Sequence, residues 1–121
     1  MKKIILALLA IMAFNVVLNA QETISYIKDT GSWLYVYNDK GKKVTTMSNS
    51  SKKLVGWGSD FFIVENGSWF YIYDMYGKKI NVLSNSNGRI VSVSANTFTM
   101  GKGSWLHIYS REGKKLKTMS K

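Results

Sequence analysis

Past residue 21 the apolar residues come in short runs that alternate in character. Trp33-Leu34-Tyr35-Val36-Tyr37, Trp69-Phe70-Tyr71-Ile72-Tyr73 and Trp105-Leu106-His107-Ile108-Tyr109 each set aromatic against aliphatic positions with a period of two. That spacing, in β-branched and aromatic residues, predicts strands with two unlike faces, and no stretch keeps the three-and-four spacing of an amphipathic helix. Further strands are expected at Ser25 to Lys28, Phe61 to Val64 and Thr97 to Met100, and at Leu54 to Trp57 and Ile90 to Val93. Polar linkers at Ser48 to Lys52 and Ser84 to Gly88 separate them.

The alternation sits inside a phrase written three times, GSWLYVYNDKGKKV from Gly31, GSWFYIYDMYGKKI from Gly67 and GSWLHIYSREGKKL from Gly103, at a spacing of 36 residues. Self-similarity at that period marks a repeat architecture, one supersecondary unit burying its apolar faces against its neighbours. Asn38-Asp39-Lys40-Gly41, Asp74-Met75-Tyr76-Gly77 and Ser110-Arg111-Glu112-Gly113 read as type I turns closed by a left-handed glycine, so each phrase is a β-hairpin. Asn66-Gly67, with Thr30-Gly31 and Lys102-Gly103 in equivalent places, suggests a tight type I′ loop to the preceding strand.

The expected fold is therefore all-β, an antiparallel β-meander with four short strands per period. It comprises a lead-in strand (22–30) and units 31–66, 67–102 and 103–121, about 2.8 repeats in all. Propeller-like or barrel closure would complete it, through the lead-in strand or through another copy of the chain as a homo-oligomer.

With the turn glycine as the bulge, Tyr37 is expected opposite Lys43, Tyr35 opposite Thr45 and Trp33 opposite Met47, with Val36 on Val44 and Leu34 on Thr46 behind them. The later units follow suit. This makes the aliphatic face the core. The aromatic face admits two readings. It packs on the next sheet, which its phenylalanines and tyrosines favour, or it binds a ligand by ring stacking. A ligand would then meet Trp33, Tyr35, Tyr37, Trp69, Tyr71, Tyr73, Trp105, His107 and Tyr109, with Trp57 as an additional ring outside the repeat pattern. Lys42, Lys43, Lys78, Lys79, Lys114 and Lys115 recur after the turn glycines and should form a basic row, serving solubility and edge protection or attracting an anion.

Residues 1–20 stand outside this pattern. Lys2 and Lys3 precede an apolar run from Ile4 to Phe14, and Leu18-Asn19-Ala20 offers a small-residue cleavage site, the layout of a signal peptide. Cleavage would leave a single domain, 21–121, with no membrane-spanning segment, exported to the periplasm or secreted. The chain has no cysteine, which excludes disulfides and a lipid-modified cysteine. Of its 17 basic residues, setting aside Lys2 and Lys3 leaves 15 against 7 acidic ones, so polyanions would be attracted nonspecifically. Export makes nucleic acid an incidental partner.

Nothing recommends catalysis or a cofactor. His107 fills a slot that is tyrosine in the other units, the acidic residues fall mostly in turns, and no phosphate loop, nucleophile elbow or metal-ligand cluster is present. The expectation is a non-catalytic module that binds a protein, glycan or polyanion partner at the envelope or outside the cell. The alternatives are a lectin-like binder of glycan or acidic polysaccharide, and a structural or self-assembling envelope protein. The string W-x-[YH]-[IV]-Y-[DNS]-x-x-G-K-K-[VIL], at Trp33, Trp69 and Trp105, resembles the tryptophan–glycine (WG) β-repeats of bacterial proteins, with Leu34, Phe70 and Leu106 where that family has glycine. The resemblance implies a non-enzymatic repeat module for binding or assembly and carries over no functional residue.

Overall fold

The computed structural model describes residues 22–121; the expected signal peptide, 1–20, lies outside the described residues. Strands β1 (Ile24–Asp29), β2 (Trp33–Asn38) and β3 (Lys43–Ser48) form one sheet in that order. Strands β4 (Lys53–Trp57), β5 (Phe61–Asn66), β6 (Trp69–Asp74) and β7 (Lys79–Ser84) form a second. The third contains β8 (Arg89–Val93), β9 (Thr97–Lys102), β10 (Trp105–Ser110) and β11 (Lys115–Ser120). All pairings are antiparallel. The expected all-β meander is the observed one, and its four-strand units are separate blades rather than parts of one barrel sheet. The blades come closest where β1 lies beside β4 and β4 beside β8. Among the described residues the first blade has no counterpart of β4.

Local chemistry explains the hairpins. Gly41, Gly77 and Gly113 all take positive φ, and each donates its N–H to the carbonyl of the residue that opens the turn, Asn38, Asp74 or Ser110. Asn38 Oδ1 also accepts from the N–H groups of Lys40 and Lys42, and Asp74 Oδ1 from those of Tyr76 and Lys78. The other loops differ from expectation. In Gly67-Ser68 only the glycine has positive φ, and Asn66 pairs directly with Trp69, so the glycine is the first central residue of a type II′ loop.

The register in the three phrase hairpins also departs from expectation, by one residue. Tyr37 does pair with Lys43, but Val44 is an additional bulge, so Val36 pairs with Thr45, Tyr35 with Thr46, Leu34 with Met47 and Trp33 with Ser48. The same second bulge falls at Ile80 and Leu116. A one-residue slip exchanges faces, so Met47, Leu83 and Met119 join the aliphatic side and Thr46, Val82 and Thr118 the aromatic side. The reason is burial: Val44, Met47, Ile80 and Leu83 all pack against core clusters, which the bulge allows and an unbroken ladder would not.

The core lies between blades. The aliphatic face of the first, with Ile27, Leu34 and Val36, meets the aromatic face of the second, with Phe62, Val64, Tyr71 and Tyr73. The aliphatic face of the second, with Phe61, Ile63, Phe70 and Ile72, meets Phe98, Met100 and Tyr109 of the third. Of the two readings of the aromatic face, packing is correct wherever a blade precedes it. Full burial of each such side chain contributes about 1.5–3 kcal/mol.

The blades also touch through backbone. A Cβ on Gly58 would lie 2.4 Å from the carbonyl oxygen of Ser94 and 2.2 Å from the Phe61 ring. Gly58→Ala is therefore expected to cost at least as much stability as Phe62→Ala, for which core truncation predicts about 3–5 kcal/mol. Denaturant unfolding of the two variants checks this, and a Gly58→Ala midpoint equal to wild type would refute the close approach.

Candidate functional site

Once the inter-blade core is formed, the aromatic positions separate into two groups. Tyr71 and Tyr73 are half-buried against the first blade, with rings 6.3 Å apart, and Tyr73 stacks on Phe62 at 5.4 Å. Burial, with Tyr71 beside it, pushes the Tyr73 phenol up. Tyr109 is buried and stacks on Phe98 at 5.3 Å. His107 is half-buried, its Nδ1 sharing a hydrogen bond of 2.9 Å with Thr118 Oγ1. Trp57 is half-buried too, packed on the first core cluster and edge-on to Tyr26 at 5.7 Å. These rings build the protein.

The tryptophans of the phrase do not follow them. Trp33, Trp69 and Trp105 are 45%, 47% and 52% exposed. Each opens its strand directly after a Gly-Ser pair, so all three occupy the same rim of successive blades. Trp69 and Trp105 stay open although the neighbouring blade is in place. Tyr35 and Tyr37 form a third category: they are half-buried on the first blade's aromatic face, which no described residue covers as the second and third blades' aromatic faces are covered.

Lys42, Lys43, Lys78, Lys79, Lys114 and Lys115 are all exposed at the turns opposite the tryptophan rim. Lys43 Nζ stands 4.6 Å above the Tyr35 ring and Lys79 Nζ 5.7 Å above that of Tyr71, cation–π contacts of roughly 0.5–1 kcal/mol at an exposed site. The lysines are therefore partly occupied with the protein's own rings.

Inter-blade polar clamps escaped the sequence reading. Thr45 Oγ1 donates to the Met75 carbonyl at 2.7 Å, and Asn81 Nδ2, at the equivalent place one blade on, donates to the Glu112 carbonyl at 2.8 Å. Met75 is buried among the first blade's residues, whereas its counterpart Arg111 reaches back to Asp60 at 2.9 Å and also binds Glu112. Burial opposes the Arg111 charge, but Glu112 and Asp60 outweigh it and raise its pKa, while Arg111 lowers that of Glu112. Tyr76 donates to Glu22, which also accepts from Asn38 Nδ2 at 2.7 Å; the Tyr76 hydrogen bond chiefly holds the Glu22 carboxyl below its usual range. A turn residue that breaks the repeat was the only available signal for these, and Tyr76 carries it.

Chemically this surface can stack and attract anions. Among the described residues no group of three or more His, Cys, Asp or Glu could hold a metal, and no helix is long and apolar enough to cross a membrane. A groove of about 340 Å³ between β4 and β8 is lined by Val55, Gly56, Trp57 and Ile90 to Val93, with no charged side chain.

No protein-family model matches the chain, and no curated protein resembles it in sequence. Among solved structures it superposes on Hsv2 of Kluyveromyces marxianus at a TM-score of 0.53 and 8% identity, over 83% of this chain and 40% of that one. Kluyveromyces lactis Hsv2 gives 0.50 at 10% identity, over 83% and 37%. These are β-propellers. The likeness is one of fold. The chain spans about two fifths of their length, as a fan of blades would span part of a circle.

Two results are expected. Trp69→Ala should shift unfolding by about 1 kcal/mol or less, as for an exposed side chain, while Tyr73→Ala costs about 3 kcal/mol; equal losses by chemical denaturation would make the tryptophan a core residue. Because the folded-state pKa of Glu22 is depressed, its clamp is present above the ordinary value of 4.5 and is lost as pH falls through the folded value. Tyr76→Phe should therefore lower the melting temperature at neutral pH and converge with wild type in acid; a pH-independent difference would exclude the carboxylate as its partner.

Proposed function

We propose that this protein is an exported, non-catalytic β-repeat module that binds another macromolecule at the cell envelope or outside the cell. The observation that carries this reading is the row of half-exposed tryptophans, Trp33, Trp69 and Trp105, held at equivalent positions on three blades. A tryptophan presents a broad apolar ring with one polar N–H, and such rings dominate recognition surfaces. Three of them at a fixed structural interval suit a partner that is itself extended or repetitive. The WG-repeat resemblance points the same way, toward binding or assembly.

A glycan is the second reading. Flat rings flanked by serines stack well on sugar faces, and the exposed lysine pairs would favour an acidic polysaccharide. Signal-peptide cleavage and export place such polymers within reach.

The test is binding of the purified exported protein to neutral glycans, acidic polysaccharides and peptidoglycan fragments at low and high salt. Binding of one glycan that survives high salt and disappears in the Trp33→Ala/Trp69→Ala/Trp105→Ala variant establishes the glycan reading. Polyanion binding that vanishes with salt, and is unchanged in that variant, reduces the surface to its lysines. Retention of an envelope protein by wild type but not by the triple variant supports the broader proposal, and a triple variant that binds everything as wild type does overturns it.

A further inference from the structure

We infer that the partner for the two open blade faces is a second copy of the same chain, two copies closing head to tail into a six-bladed ring. The chain twice builds one contact, an aliphatic face against the next blade's aromatic face. It then leaves one of each kind uncovered among the described residues. On the third blade Leu116 is 55% and Met119 39% exposed, although their counterparts Val44, Ile80, Met47 and Leu83 pack into the core clusters. On the first blade Tyr35 and Tyr37 stand where Tyr71 and Tyr73 are packed.

The polar positions continue the series as well. The clamp donors Thr45 and Asn81 are followed, one period on, by exposed Lys117, and the residues Met75 and Arg111 that reach back to the preceding blade are preceded by exposed Asp39. The third contact would thus set a lysine beside an aspartate-bearing turn. It would also bring Asp39 to Asn96, where the two contacts within the chain place Met75 by Ile24 and Arg111 by Asp60.

Stoichiometry follows from closure. The described residues of each copy form three blades. Propellers close with about four to eight, and six is the only multiple of three in that range. An identical head-to-tail contact that failed to close would instead grow without limit. The ring goes beyond the binding role proposed above; it would present both tryptophan rims together.

Sedimentation equilibrium on the full chain as processed and exported by its host needs no ligand, so it can fail independently of the binding tests. Twice the monomer mass is expected. Leu116→Arg, at an exposed position, should give a folded monomer by circular dichroism, as should Tyr35→Arg on the other face. Mixing these two variants should restore dimers through the one intact contact, which a symmetric patch-to-itself dimer would not do. Should Tyr35→Arg fail to fold, register is tested instead: Asn96→Asp alone should weaken the dimer and Asn96→Asp with Asp39→Arg restore it, by copying the Asp60–Arg111 pair. A wild-type monomer, open polymers, or a dimer indifferent to Leu116→Arg would each overturn the ring.

Discussion

Everything in this fold depends on the fact that each small sheet has two apolar faces of different kinds. A sheet of three or four strands of five or six residues cannot bury both by itself, and an isolated one would be marginal in water. Stacking solves the problem because the two faces fit each other: rings of one blade lie over the branched aliphatics of the blade before it. Stability is then shared between neighbours, as in other repeat proteins, and among the described residues the end blades are each covered once rather than twice.

Geometry at the blade junctions refines this apolar fit. The second bulge, at Val44, Ile80 and Leu116, turns a further aliphatic residue onto the core side and widens each hairpin's apolar face. Thr45 and Asn81 then hold the next blade's turn by its carbonyls, which fixes the blades in rotation as well as in distance. Hydrophobic contact is non-directional and would tolerate sliding. Directional hydrogen bonds, and the close backbone approach at Gly58, remove that freedom.

The period, the strands, the glycine turns and the two-faced sheets were legible because each has a local signature: alternation, Asn, Asp or Ser three residues before a glycine, and recurrence at 36 residues. The register was not. A bulge three residues past the glycine has no composition signal, since Val44 reads equally well in a regular ladder; it forms because packing between blades rewards it, and that reward is non-local. For the same reason Trp57, Tyr71 and Tyr73 read as ligand-facing rings from sequence, but only the position of the neighbouring blade decides that they are half-buried packing residues. Arg111 and Asp60 meet across 51 residues and two blades, which no pattern in either segment foretells.

Recurrence is ordinarily poor evidence of function in a repeat protein, because what recurs is what the unit needs in order to fold. Tyr73 and Tyr109 satisfy that rule, each stacked on the phenylalanine of the adjoining strand. The tryptophans do not: they recur as strictly and remain about half in water on all three blades, at a position where a smaller strand-forming residue would serve the hairpin. Folding accounts for the buried half of each ring and leaves the exposed half without a structural reason. A costly apolar surface repeated three times is better explained by what it meets than by what it supports.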